Sequence, residues 1–236
     1  MKLTKLIGLS IGSLLFATSA IAVPVAVTHG TDAGDSFNTT EISGFTTGGD
    51  DMDGIEVTVY FADGTSETAV YDIGTLGDNY GAASGTDWTL SFNGSTSFVD
   101  SWNFDFTGDN AITSLVIDGT AGDTLFDYWY DDTTTPGSAR GGPGDPAGPV
   151  GVDSTIDGLG ADFTYRNQVA LDGTFYGDLF TQLVISFDSP FYSGQSFSFV
   201  TDTDNVTVQG DITPIPEPAI LALFSLGLLG MALRRS

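Results

Sequence analysis

The chain has 236 residues, with 31 acidic side chains against 6 basic ones, a single histidine and no cysteine, for a formal net charge of −25. A surface of that sign repels nucleic acid and anionic membrane, which excludes both as partners. Without thiols there is neither a disulfide framework nor a thiolate centre, so stability has to come from the core and from any metal it binds.

In chain order, Lys2 and Lys5 form a basic start, Leu6 to Ala17 is apolar, and Ala20-Ile21-Ala22 supplies the small–x–small pattern read by signal peptidase. Residues 1–22 therefore read as a helical signal peptide cut after Ala22, with Ala20 as the second choice, and imply the Sec export machinery. Residues 23–215 have the size of a single β-sandwich able to bury a core. Four of the basic residues (Lys2, Lys5, Arg234, Arg235) and one acid, Glu217, lie outside that body. It keeps two arginines against thirty acids, a formal −28.

Val23 to Asp53 reads as a Thr/Gly/Asp-rich lead-in with one or two short strands. Ile55 to Phe61 alternates apolar and polar residues at period two, and Asp63-Gly64 follows, then Thr65 to Asp72. A two-residue Asp-Gly turn predicts a hairpin that pairs Ala62 with Thr65, Val57 with Val70 and Val59 with Thr68. Trp88 to Phe92 alternates again, Asn93-Gly94 is a second hairpin signal, and Ser101 to Phe106 puts Trp102, Phe104 and Phe106 on one face. Strands are then predicted over Ala111–Ile117 and Leu125–Tyr130. A Pro/Gly-rich loop at about 132–151 interrupts the pattern. Further strands are expected at Ala161–Arg166, Thr174–Leu179, Gln182–Phe187, Gln195–Val200 and Val206–Gln209. No sustained helical period occurs between Val23 and Pro214. The fold class is all-β, a two-sheet antiparallel β-sandwich of jelly-roll-like or Greek-key type.

Catalytic groups are scarce. His29 is a lone base with no nucleophile to activate, and there is no nucleophile elbow or phosphate loop. Glu56 and Glu67, on neighbouring strands of the first hairpin, are the first pair to consider for glycoside hydrolysis, although thirty acids make some pairing inevitable. Oxygen-rich turns suit a hard cation better: Asp50, Asp51 and Asp53 beside Gly54, and Asp202 and Asp204, are candidate ligands for Ca2+, the only cofactor the sequence suggests. Acidic turns on an acidic surface account for them equally well. Tyr128, Trp129 and Tyr130, flanked by aspartates, form a candidate glycan-stacking platform, with alternation sending one side of it into the core.

The C-terminal end has three parts in order. Pro216-Glu217-Pro218 is followed by an uncharged apolar run, Ala219 to Leu233, and then Arg234-Arg235. Fifteen residues of helix rise about 22 Å, short of the ~30 Å hydrocarbon core, and the arginine pair would be held on the cytoplasmic side. This layout resembles the PEP-CTERM sorting signal of Gram-negative bacteria that make exopolysaccharide. The resemblance implies handling by an exosortase at or near Pro216-Glu217-Pro218. It also implies transient inner-membrane anchoring by a hydrophobic helix in 216–236, then a cell-surface or extracellular destination. The stretch from Ile55 through Asp118 looks like a domain often found ahead of such tails, one with no firmly assigned activity.

The reading that follows is an exported, non-catalytic, structural or adhesive β-sandwich of the cell surface or the matrix, with exopolysaccharide as a candidate partner. The alternatives are a calcium-assisted carbohydrate-binding module, a carboxylate-based glycoside hydrolase and an ice-binding protein. Scattered threonines, with no flat ranks of them, argue against the last.

Overall fold

The structure, a computed structural model, describes residues 27–43, 47–128, 153–154 and 160–216. The signal segment with Ala20 and Ala22, the stretch 132–151, Trp129, Tyr130, Glu217, Pro218, Arg234 and Arg235 lie outside the described residues, as do both expected terminal helices. Among the described residues no helix is long and apolar enough to cross a membrane.

Sixteen strands form among the described residues. In the first half they are β1 Val27–Thr31, β2 Phe37–Thr39, β3 Glu56–Phe61, β4 Ser66–Val70, β5 Asp72–Ile73, β6 Tyr80–Ser84, β7 Trp88–Asn93 and β8 Trp102–Phe106. The second half gives β9 Ile112–Asp118, β10 Thr124–Asp127, β11 Asp153–Ser154, β12 Ala161–Leu171, β13 Thr174–Phe191, β14 Gln195–Phe199, β15 Asp202–Asn205 and β16 Thr213–Pro214. One short 3-10 turn, Thr120–Gly122, is the remaining regular element.

The strands make two sheets. A ten-stranded sheet runs β16-β2-β12-β13-β9-β3-β4, with β1 added to β12, β10 to β13 and β15 to β10. A six-stranded sheet runs β11-β14-β8-β7-β6-β5. The predicted strands at Thr174–Leu179 and Gln182–Phe187 are one element, β13, which is the spine of the large sheet: it pairs with β12 on one side and with β9 and β10 on the other. The expectation of wholly antiparallel sheets is corrected at the N-terminal side, where β1 and β2 both lie parallel to β12. Over a hundred residues separate these strands from β12, so no hairpin dictates their direction.

The two sheets share one core. Val57, Val59, Leu115, Ile117, Phe163, Leu183 and Ile185 of the large sheet are buried with Trp88, Leu90, Phe92, Trp102, Phe104, Phe106, Phe197 and Phe199 of the small one. Rings meet across the gap, with Phe163–Phe199 centroids 5.6 Å apart and Phe104–Phe191 5.5 Å apart. Each such side chain, once buried, contributes roughly 1.5–3 kcal/mol. A smaller cluster of Ile42, Leu125, Val169, Leu179, Val206 and Ile212 forms where the C-terminal segment crosses the large sheet.

The first hairpin exists but one residue out of the predicted register. Val57 stands opposite Ala69, Thr58 opposite Thr68 and Val59 opposite Glu67. Phe61 N–H bonds to Thr65 O at 2.9 Å and Gly64 N–H to Phe61 O at 3.0 Å, so the loop holds three residues, Ala62-Asp63-Gly64. Gly64 takes φ +86°, which only glycine adopts freely, as three-residue hairpin loops require. Asp63 stabilises this turn by accepting from Thr65 N–H at 2.9 Å and Thr65 Oγ1 at 2.6 Å. A one-residue slip turns β4 over, which leaves Val70 exposed and brings Glu67 to the face of Val59. Asn93-Gly94 makes no tight hairpin either. Phe92 pairs with Trp102, and Asp100 closes the longer loop by accepting from Ser95 N–H at 2.9 Å and Thr96 N–H at 3.3 Å.

Candidate functional site

The motif at the C-terminal end leaves directly from a strand. β16 pairs with β2, Thr213 opposite Asn38 and Pro214 opposite Phe37, and Ile215 N–H bonds to Ser36 O at 2.7 Å. Exposed Pro216 follows, the last of the described residues. Just upstream, Asp211 accepts from Thr39 Oγ1 at 2.8 Å, Thr40 N–H at 2.6 Å and Thr40 Oγ1 at 2.8 Å. The Thr40 backbone bond above all holds its carboxyl below the usual carboxylate range. The folded body is thus tied off within one residue of Pro216.

The candidate metal ligands fall in two places. Asp50 and Asp51 lie in the 47–54 loop, where Asp51 accepts from Gly48 N–H at 2.8 Å and Asp50 accepts from Gly77 N–H. Asn79 joins them, so that Asn79 Oδ1, Asp50 Oδ1 and Asp51 Oδ2 stand 3.1, 3.2 and 3.3 Å from where a Gly48 Cβ would be. Asp53 is exposed and takes no part in this group. Asp202 and Asp204 are buried residues of β15, paired with β10 so that Asp202 faces Asp127 and Asp204 faces Leu125. Among the described residues no group of three or more histidine, aspartate or glutamate side chains is arranged to hold a metal ion.

Asp202 is chemically unusual. Its Oδ1 accepts from Thr203 N–H at 3.0 Å and Ser97 Oγ at 3.3 Å, whereas its Oδ2 is buried without a hydrogen bond among the described residues. Burial pushes the carboxyl from 3.8 up to about 7, against the lowering effect of those two bonds. In the sequence Asp202 and Asp204 have the look of a turn; alternation alone does not show that β15 lies under cover, nor that Asp127 and Asp178 are also buried.

The aromatic platform is core on its described side. Tyr128 is buried, 4.8 Å from the Tyr165 ring and 6.3 Å from Phe180, and its hydroxyl lies 3.1 Å from His29 Nδ1. His29 is exposed and serves Tyr128. Glu56 and Glu67 do not converge, because Glu56 pairs opposite Val70 and Glu67 opposite Val59, on opposite faces of the sheet. Glu67 instead ties β4 to the β6–β7 turn, accepting from Thr86 N–H at 3.0 Å, Thr86 Oγ1 at 2.8 Å and Trp88 Nε1 at 2.8 Å.

Two clefts stand out. One of about 270 Å³ lies among Thr31, Asp32, Gln168 and Phe180, beside the exposed Arg166–Asp32 ion pair at 3.2 Å. The other, of about 210 Å³, opens at one end of the two sheets between Phe61, Glu67, Thr86, Asp87, Phe106 and Asn110. Apart from Glu67 no sequence signal marks it, since three separate turns of the chain build it.

Against known families, the model of the PEP-CTERM protein-sorting motif matches residues 214–236. This is a two-sheet, all-β protein with a PEP-CTERM sorting motif at its C-terminus. The motif implies an exported protein processed by an exosortase. No curated protein and no solved structure matches the chain.

Proposed function

We propose that the chain passes through the Sec machinery, loses residues 1–22 to signal peptidase, and is held briefly in the inner membrane by its apolar tail until an exosortase acts at Pro216-Glu217-Pro218. The body, 23–215, then serves at the cell surface or in the extracellular matrix as a non-catalytic structural or adhesive β-sandwich. The observation that carries this reading is the sorting motif matched at 214–236, whose Pro216 stands one residue beyond the last sheet hydrogen bond, so that cutting at Pro216-Glu217-Pro218 would free an intact fold. The placing of Glu56 and Glu67 on opposite faces of the sheet supports the non-catalytic reading.

Replacing Pro216, Glu217 and Pro218 together by alanine tests the reading. The variant is expected to accumulate in the envelope with its tail attached, while the parent chain loses the tail. Equal processing of the two chains would sink it.

A further inference from the structure

The cleft of about 210 Å³ has the makings of a binding site. It lies where the β3–β4 turn of the large sheet meets the Gly85–Asp87 turn and the exit of β8 in the small sheet. Two phenylalanines form its apolar side: Phe61, half-buried, and Phe106, whose ring centroids are 6.5 Å apart at 46°. Glu67, Thr86, Asp87 and Asn110 also line it.

The walls are braced. Glu67 is fixed by Thr86 and Trp88, and Thr107 N–H bonds to Asp87 O at 2.8 Å. At Gly108 a Cβ would stand 2.6 Å from the Phe106 ring and 3.0 Å from the Asp87 Cβ, so bare backbone completes the wall there. Burial opposes the charge on Glu67, but the bonds from Thr86 and Trp88 outweigh it and hold the carboxyl below its usual range.

From this geometry we infer that the cleft binds one neutral sugar ring, its C–H face on Phe61 and its hydroxyls donating to Glu67 and Asp87. The chemistry selects that class. Two carboxylates, with no cation among the described lining residues, repel phosphates and uronic acids. An aromatic face beside hydroxyl, amide and carboxylate groups suits a ligand that is apolar on one side and rich in O–H on its rim. A cavity of about 210 Å³ is smaller than pockets for drug-sized ligands, roughly 300–1,000 Å³, and admits one ring, not an extended chain. The inference deepens the adhesive reading above and rests on it for access to extracellular polysaccharide.

The test uses the full chain in a non-glycosidic detergent, probed by saturation-transfer NMR with glucose, galactose, mannose and N-acetylglucosamine, with glucuronate and choline as comparisons, and by calorimetric titration with Ca2+. At least one neutral sugar is expected to bind saturably, and glucuronate at least tenfold more weakly. Phe61→Ala and Asp87→Ala are each expected to weaken that sugar at least tenfold. Asp87 is exposed, so its variant should fold even if the Phe61 variant does not. Binding of no neutral sugar, binding indifferent to Asp87→Ala, or choline or Ca2+ binding that Asp87→Ala abolishes while no sugar binds would each overturn the inference. None of these results touches export and sorting, which are read from the tail.

Discussion

Replacing Trp102 by alanine is expected to cost the folded body about 3–5 kcal/mol. The side chain is fully buried at the centre of the small sheet. It lies 5.2 Å from Phe92, 5.8 Å from Tyr71 and 6.2 Å from Phe199, the last stacked at 7°. Neighbours held by two sheets close poorly over a lost indole, so most of the cavity should persist. For a body of this size the melting temperature should fall by roughly 6–20 °C. Trp102→Phe should behave differently. Trp102 Nε1 is buried without a hydrogen bond among the described residues, and the substitution removes that donor while keeping an aromatic ring. Relief of about 1–3 kcal/mol then offsets much of the lost volume, and a net change within about 1 kcal/mol is expected. Denaturant unfolding of the two variants checks the pair. A Trp102→Ala loss below about 1 kcal/mol would mean that the two sheets do not share this core.

The folded protein is expected to lose stability as pH rises from about 4 to about 7, with Asp202 as the main single source. Asp127 faces it across the β10–β15 pair, Asp204 follows two residues on, and Tyr165 lies within electrostatic reach. Burial raises the Asp202 carboxyl to about 7 from 3.8, so over that range the folded state keeps a proton that the unfolded chain has released. The contribution is full below the unfolded value and is lost as pH climbs to the folded value. At 1.36 kcal/mol per unit it amounts to about 4 kcal/mol, an order-of-magnitude figure. Mutual repulsion among the other acids slopes the same way, so the discriminating comparison is Asp202→Asn. That variant should show a distinctly flatter dependence of urea midpoint on pH between about 4 and about 7. An unchanged slope would show that the Asp202 carboxyl is already ionised in the fold.

Strands that are half-buried were legible in the sequence because their pattern carries the pleat. Alternation groups Val57 with Val59, Trp88 with Leu90 and Phe92, and Trp102 with Phe104 and Phe106, and each group occupies a buried face. The register of β4 was not legible: Asp-Gly serves two- and three-residue loops alike, and one residue of difference swaps the faces on which Glu67 and Val70 lie. The strand expected over Val206–Gln209 is displaced to Asp202–Asn205, with Val206 left as an isolated bridge to Ile42. Four polar residues in a row do not resemble a buried strand, and cover from distant segments decides the matter. Long-range assembly also hid the parallel pairing of β1 and β2 with β12, and the cleft around Phe61 and Asp87. The sorting motif was the most legible feature, since Pro216-Glu217-Pro218, the apolar run and the arginine pair are contiguous and their order is the signal.

The central claim, export followed by removal of the tail, is tested most directly by intact-mass analysis of the protein from its native host, with envelope and medium taken separately. A mass lacking residues 1–22 and everything beyond about Pro218 is the predicted result. A mature form that keeps its tail in the envelope and never loses it would contradict the account, and would make the C-terminal segment a plain anchor.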